Sequence, residues 1–208
     1  MVGLFKLKIY PGCEVEPYGS CGKNRHLIIG VDEAGRGPLA GPVLACACYI
    51  EEHVDGVADS KKLTPAKRLD LASEIICKGQ VCIGIENCRS IDVSDILSAT
   101  MSAMRTAANA LSRRLGGNGL VIIDGNRVPE GLVWQGKAIV GADDSQYCVS
   151  CASIVAKVVR DHLMDGFDTT FPGYGFSKNK GYGTADHLDA ISRLGPCQIH
   201  RRSFGPCK

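Results

Sequence analysis

The residues best placed to do chemistry are carboxylates at the ends of apolar runs. Leu27-Ile-Ile-Gly-Val-Asp32-Glu33 closes on two adjacent acids, and Leu120-Val-Ile-Ile-Asp124-Gly125 closes on a third. An ionised carboxylate at the end of a buried strand is costly unless a partner offsets its charge. The nearest base in sequence is Arg36, so a divalent cation is a natural counter-charge. Asp161 supplies a fourth oxygen donor if its own element brings it close. Oxygen-only ligation, without histidine or thiol, suits Mg2+ or Mn2+ rather than zinc or copper. Two such ions about 3.5–4 Å apart would activate a water and stabilise the leaving oxygen in an in-line attack on a phosphodiester. Taken singly, each acid reads equally as a helix cap, a turn former or a surface charge. Asp161, beside Arg160, reads by default as an exposed ion pair.

Directly after the first two acids comes Ala34-Gly35-Arg36-Gly37-Pro38-Leu39-Ala40-Gly41-Pro42. Gly35 and Gly37 lack the Cβ atoms that would hold another molecule off the backbone. As a bare pattern, Gly35-x-Gly37-x-x-Ala40 also satisfies a dinucleotide-binding fingerprint, but that fingerprint requires a helix to begin there. Here Pro38 and Pro42 lead into Val43-Leu-Ala-Cys-Ala-Cys-Tyr-Ile, which reads as a strand. A nucleotide cofactor is therefore disfavoured.

The elements that must position these groups follow from periodicity. Strands are expected at 27–33 and 42–50, joined by the glycine turn as a hairpin-like pair. Thr64-Pro65 reads as an N-cap with proline at the first helical position, opening a helix to about Cys77. A third strand covers Gln80 to Cys88. Residues 92–115 carry apolar side chains at three- and four-residue steps and stop at Gly116, which predicts one helix. Strands at 120–124 and 137–140 precede a helix from Ser145 to about Asp165. A Gly- and Lys-rich loop spans 171–183, and Thr184 starts a shorter helix to about Leu194. The order predicts an α/β fold, a mixed sheet flanked by helices. Asp32 and Asp124 lie close only if their strands are neighbours, and strand ends are where open α/β sheets place ligands. Asp32 and Glu33, being adjacent, point to opposite faces of a regular strand. They can share an ion only if the strand turns or bulges there.

Bulk properties narrow the classes. The chain has 208 residues, 45% of them hydrophobic, enough for one substantial core. Its longest apolar run, Val43 to Ile50, is too short to span a bilayer, and Lys6 and Lys8 interrupt any signal-like apolar segment. A cytoplasmic protein without a membrane partner is expected, with no feature demanding more than a monomer. Eleven cysteines form no paired framework, so reduced thiols are expected, with Cys148 and Cys151 as small core residues on one helix face. The 24 basic and 22 acidic residues nearly balance. Local clusters such as Lys61-Lys62, Arg113-Arg114 and Arg201-Arg202 read either as solvated faces or as a phosphate-tracking groove. Residues 1–25 carry no periodicity and are expected to be a tail or edge segment.

The same residues carry a resemblance. Gly30-Val-Asp32-Glu33-Ala-Gly35-Arg36-Gly37-Pro-Leu-Ala-Gly-Pro-Val43 resembles the signature of the type 2 ribonucleases H, the ribonuclease HII branch in particular. Further blocks follow in order. They are Asp59-Ser-Lys61-Lys-Leu63, Ala99-Thr-Met-Ser-Ala-Met104, Ile123-Asp124-Gly-Asn-Arg127, Ala152 through Asp161, Phe171 through Phe176, Lys180-Gly-Tyr182-Gly-Thr184 and His200 through Pro206. The resemblance implies an RNase H-like mixed sheet in a catalytic domain over 26–208, with C-terminal helices at about 166–208. It also implies hydrolysis of the RNA strand of RNA–DNA hybrids and incision 5′ of single ribonucleotides in duplex DNA, leaving 3′-hydroxyl and 5′-phosphate ends. Carried over by motif, Asp32, Glu33, Asp124 and Asp161 are the metal-binding acids. The backbone of Gly35-Arg36-Gly37 registers the ribose 2′-hydroxyl, Tyr182 packs on the adjoining sugar, and Lys61 holds a phosphate. Arg36 and Asp161 fit this branch better than ribonuclease HIII, which has Gly-Thr-Gly and a glutamate instead. Two departures stand out: Asn179 precedes Lys180 where histidine is common, and Cys151 replaces the usual alanine. A catalytically silent hybrid-binding protein would show a lost acid, and none is lost. A nuclease acting on another junction is the remaining alternative.

Overall fold

The computed structural model describes residues 27–57 and 63–208. Its centre is a five-stranded sheet of β1 (Leu27–Ala34), β2 (Val43–Ile50), β3 (Gly79–Glu86), β4 (Gly119–Asp124) and β5 (Gln135–Ile139), ordered β3-β2-β1-β4-β5. The first three strands form an antiparallel meander, as the glycine turn leads one to expect, while β4 and β5 add in parallel beside β1. The acid-ended strands β1 and β4 are therefore neighbours.

Alternation along the strands divides the apolar side chains between two faces. Ile29, Val31, Ala45, Ala47, Val121 and Ile123 pack under α3 (Ile96–Leu115). Leu44, Cys46 and Cys48 pack under α1 (Pro65–Lys78) and α5 (Tyr147–Thr170), against Ile75, Ile154 and Val155. Each fully buried branched side chain is worth about 1.5–3 kcal/mol, so these two layers hold the sheet between helices. The backbone of α5 lies unusually close to β1. A Cβ on Gly30 would stand 2.2 Å from the Cys148 carbonyl carbon, so only glycine permits that approach.

Thr64 caps α1 through its hydroxyl, which accepts from the Lys67 amide, with Pro65 at the first helical position as expected. The single helix expected at 92–115 is two: α2 (Cys88–Val93) and α3. Asn87 accepts from the Ser90 amide and Asp95 from the Leu97 and Ser98 amides. Asn87 thus opens α2, which stops at Ser94, and Asp95 opens α3 afresh within an uninterrupted apolar rhythm. The expected helix from Ser145 is likewise a short α4 (Ala142–Ser145) followed by α5, which runs on to Thr170. The trailing segment folds as α6 (Phe176–Asn179), α7 (Ala185–Leu194) and a 3-10 turn at Gly205–Cys207. It forms a third core in which Phe176, Tyr174, Ala190 and Ile191 close over Leu39 and Ala40 of the loop after β1. The cysteines at 46, 48, 82, 88, 148, 151, 197 and 207 form no disulfide, and Cys151 is a core residue. No helix among the described residues is long and apolar enough to cross a membrane.

Candidate active site

The last parallel pair between β1 and β4 is Val31 with Ile123. One step further in the same register are Asp32 and Asp124, whose side chains face the α5 side together with Cys46 and Ile122. Asp32 is buried and Asp124 accepts a 2.7 Å hydrogen bond from the Ala142 amide at the start of α4. Glu33 belongs by alternation to the opposite face, and β1 stays in regular register with β2 through Ala34, without a bulge. The expected turn is absent. The Glu33 amide nevertheless donates to Asp32 Oδ1 at 2.7 Å, and the two carboxyls interact electrostatically with each other and with Asp124.

Three carboxyls thus feel one another at the C-terminal ends of the neighbouring strands β1 and β4. Burial first, and Glu33 next, push the Asp32 carboxyl up from 3.8 to about 8. Glu33 is also raised, chiefly by burial, and opposed by Arg36, whose guanidinium donates to it at 3.4 Å. Such crowding is what a cation relieves. All-oxygen donors of high negative charge fit a hard divalent ion, so the donor set suits the group expected for it.

Asp161 lies in the interior of α5, one residue after Arg160, which lies against Gly35. Its carboxylate accepts a 2.7 Å bond from Lys157 one turn earlier. The expected pairing with Arg160 is replaced by this one, because Arg160 turns inward and is buried. Among the described residues, no three Asp, Glu, His or Cys side chains stand at metal-holding spacing; Asp161 is near the acids' end of the fold but turned to Lys157. Lys61 lies outside the described residues.

The glycine turn occupies the space beside these acids. Gly35 adopts φ +99, and a Cβ there would stand 2.1 Å from the Arg160 Nε. Gly37 is open, with only the Tyr182 ring within 3.7 Å of a Cβ position. Tyr182 is 44% exposed and carries Lys157 and Arg160 at 5.9 and 6.0 Å from its ring centroid. Its carbonyl accepts from His187 Nδ1 at 2.8 Å. The tautomers follow from the chain of partners. The Cys197 amide donates to His200 Nδ1, leaving Nε2–H of His200 to donate to His187 Nε2 at 3.1 Å, and His187 Nδ1–H to reach Tyr182. Burial and the neighbouring His187 hold His200 down at about 4, so the relay stays neutral. Lys180, two residues before Tyr182, holds a left-handed φ of 51 without being glycine, a strained conformation of the kind that collects at functional sites.

Lys157, Arg160, His187, His200 and Arg201 were not singled out in the sequence as site residues. The first two share a helix with Asp161, so helical spacing could have found Lys157. The others come from segments distant in sequence, and only the C-terminal third core brings them near.

The comparisons agree with this geometry. The family model described as Ribonuclease HII matches residues 29–207. A Ribonuclease HII of Parvibaculum lavamentivorans is 48% identical over 189 residues, covering 90% of this chain and 69% of the relative. One from Verminephrobacter eiseniae is 50% identical over 184 residues, covering 86% of each. Among solved structures, the ribonuclease H2 of Pyrococcus horikoshii superposes with a TM-score of 0.64 at 25% identity, over 87% of this chain and 95% of that one. With paired strand-end acids, the glycine turn and a match running from β1 to the final 3-10 turn, the chain belongs to the ribonuclease HII family, hydrolytic nucleases that work with a divalent metal.

Proposed function

We propose that this chain is an endonuclease that cuts the RNA strand of RNA–DNA hybrids and incises 5′ of single ribonucleotides in duplex DNA, leaving 3′-hydroxyl and 5′-phosphate ends. The observation that carries the reading is the junction of two features at the ends of the central strands: crowded carboxyls at Asp32, Glu33 and Asp124, and a glycine turn exposed at Arg36 and Gly37 and faced by Tyr182. Asp32, Glu33 and Asp124 would hold the divalent ion, Mn2+ or Mg2+, with Asp161 joining them by releasing Lys157. When bound, such ions activate water and neutralise charge at the scissile phosphate, a pair of them acting on the attacking and leaving oxygens.

The chain's own groups supply recognition. Amides of the Gly35-Arg36-Gly37 turn stand next to the acids with no side chain at Gly37 to block a sugar, and a 2′-hydroxyl is the group that separates ribose from deoxyribose. The half-exposed Tyr182 ring offers an apolar face to the adjoining sugar, while Lys157 beside it favours a polyanion. We assign the phosphate contact to Lys61 on motif alone. The catalytic unit is taken as residues 26–208, working as a monomer in the cytoplasm.

The test is cleavage of a labelled duplex carrying one ribonucleotide, beside an all-DNA duplex and a long hybrid, with Mg2+, Mn2+ or a chelator. Metal-dependent cutting on the 5′ side of the lone ribonucleotide, with the all-DNA duplex intact, supports the reading. Cutting of the long hybrid alone would retain the acids but remove the junction roles of Gly35, Arg36, Gly37 and Tyr182. No cutting of any substrate would favour a silent hybrid binder.

A further inference from the structure

Two arginines beneath the glycine turn have no place in the chemistry above. Arg160 and Arg201 are the largest of the fully buried side chains, at 1% and 0% exposure, and neither forms an ion pair among the described residues. Both guanidiniums spend their donors on backbone carbonyls. Arg201 donates to Gly35 at 2.5 Å, to Arg36 at 2.8 Å and to Gly41 at 2.9 and 3.0 Å. Arg160 donates to Pro42, Ala40 and Lys180 at 3.1, 3.2 and 3.0 Å. Together they span the whole turn, from the end of β1 to the start of β2, and tie it to the residue two before Tyr182. Burying two cations side by side without an acid is expensive. Nothing in apolar packing requires it.

What the arrangement accomplishes follows from the peptide unit. There are no cis peptides among the described residues, and in a planar trans unit the N–H points opposite to the C=O. Arg201 holds the carbonyls of Gly35 and Arg36 inward, so the N–H groups sharing those two peptides, on Arg36 and Gly37, are aimed outward. Both residues are exposed, and neither amide donates to a group among the described residues. An unpaired donor pair on a glycine turn would ordinarily swing freely. Here the opposite ends of both peptides are pinned to one rigid fork.

We infer that Arg201 is the positioning residue for ribose selectivity: it fixes the Arg36 and Gly37 amides as two preset donors toward the substrate sugar, with Arg160 bracing the far side of the turn. This rests on the reading of the turn as the ribose reader. Arg201 itself touches no substrate. Lysine cannot replace it, because one ammonium nitrogen does not reach the Gly35, Arg36 and Gly41 carbonyls from separate, fixed directions.

The experiment measures binding rather than cleavage, using the full chain with Asp124→Asn to silence catalysis. Affinities are compared, with Mg2+ present, for a duplex carrying one ribonucleotide and an all-DNA duplex of the same sequence. The single variant prefers the ribonucleotide. Adding Arg201→Lys lowers that preference by tenfold or more, toward parity, while all-DNA affinity changes little. An unchanged preference in a folded Arg201→Lys protein overturns the inference. Absence of any preference in Asp124→Asn alone overturns the reading of the turn itself, a different result. Because Arg201→Lys could fail to fold, the wild-type chain supplies a second measurement. Backbone order parameters for the Arg36 and Gly37 amides should equal those of β1, near about 0.85, and values under about 0.6 overturn the inference.

Discussion

Replacing Asp32 by Asn should stabilise the metal-free protein at high pH while ending its activity. The Asp32 carboxyl is raised from 3.8 to about 8, mainly by burial and then by Glu33. Its folded value exceeds its unfolded value, so its contribution to stability is full below 3.8 and is lost as pH rises through about 8. Each unit corresponds to about 1.4 kcal/mol, which sets an upper bound of roughly 6 kcal/mol against the ionised form. Glu33 also responds when that charge disappears, so we expect roughly half of this, about 2–3 kcal/mol, to be observed. For a chain of this size that is a rise in Tm of about 5–10 °C. The assay is thermal unfolding of wild type and Asp32→Asn in chelator, at a pH above the raised value and at one well below 3.8, where the two should nearly coincide. Adding Mg2+ should then raise the wild-type Tm alone, since binding to the folded state stabilises it. Lower melting of the Asn variant at both pH values, or equal stabilisation of both proteins by Mg2+, would refute the account of Asp32 as a buried charge awaiting a cation.

The remaining predictions separate structural from functional roles at the same edge. Asp124→Asn keeps an oxygen for the Ala142 amide, so its melting should match wild type while cleavage falls to background; retained cleavage would remove Asp124 from the site. Gly35→Ala, with φ +99 and a Cβ 2.1 Å from Arg160, should lose about 2–5 kcal/mol of stability. Gly37→Ala meets only Tyr182 at 3.7 Å and should melt within about 0.5 kcal/mol of wild type yet cut poorly, so equal melting of the two variants would contradict the assigned geometry. Tyr182→Phe should retain junction selectivity that Tyr182→Ala loses, as judged by the ratio of cutting at a lone ribonucleotide to cutting of a long hybrid. For His200, lowered from 6.5 to about 4 by burial and His187, the neutral ring's contribution is present above 6.5 and disappears as pH falls through about 4. Unfolding followed from neutral to acid pH should show that loss, and His200→Phe should flatten it.

The sequence by itself determined the strands, their order of appearance and the acids at their ends, because alternation, apolar runs and glycine stops are local signals carried by a few adjacent residues. Thr64, Pro65 and Thr184 marked their helix starts for the same reason. The break at Ser94 was hidden because the apolar rhythm of 92–115 continues across it, and only the competing caps at Asn87 and Asp95 reveal the restart. Tertiary structure alone decided the site's electrostatics. Asp32 is perturbed because α5 closes over the sheet face that carries it and Glu33 lies beside it, a burial that is not visible in Gly-Val-Asp-Glu. Likewise, Arg201 reads in sequence as half of an exposed basic pair. It is buried because the C-terminal core folds back across 160 and 166 positions onto Gly41 and Gly35, and a contact of that separation leaves no periodicity in the chain to betray it.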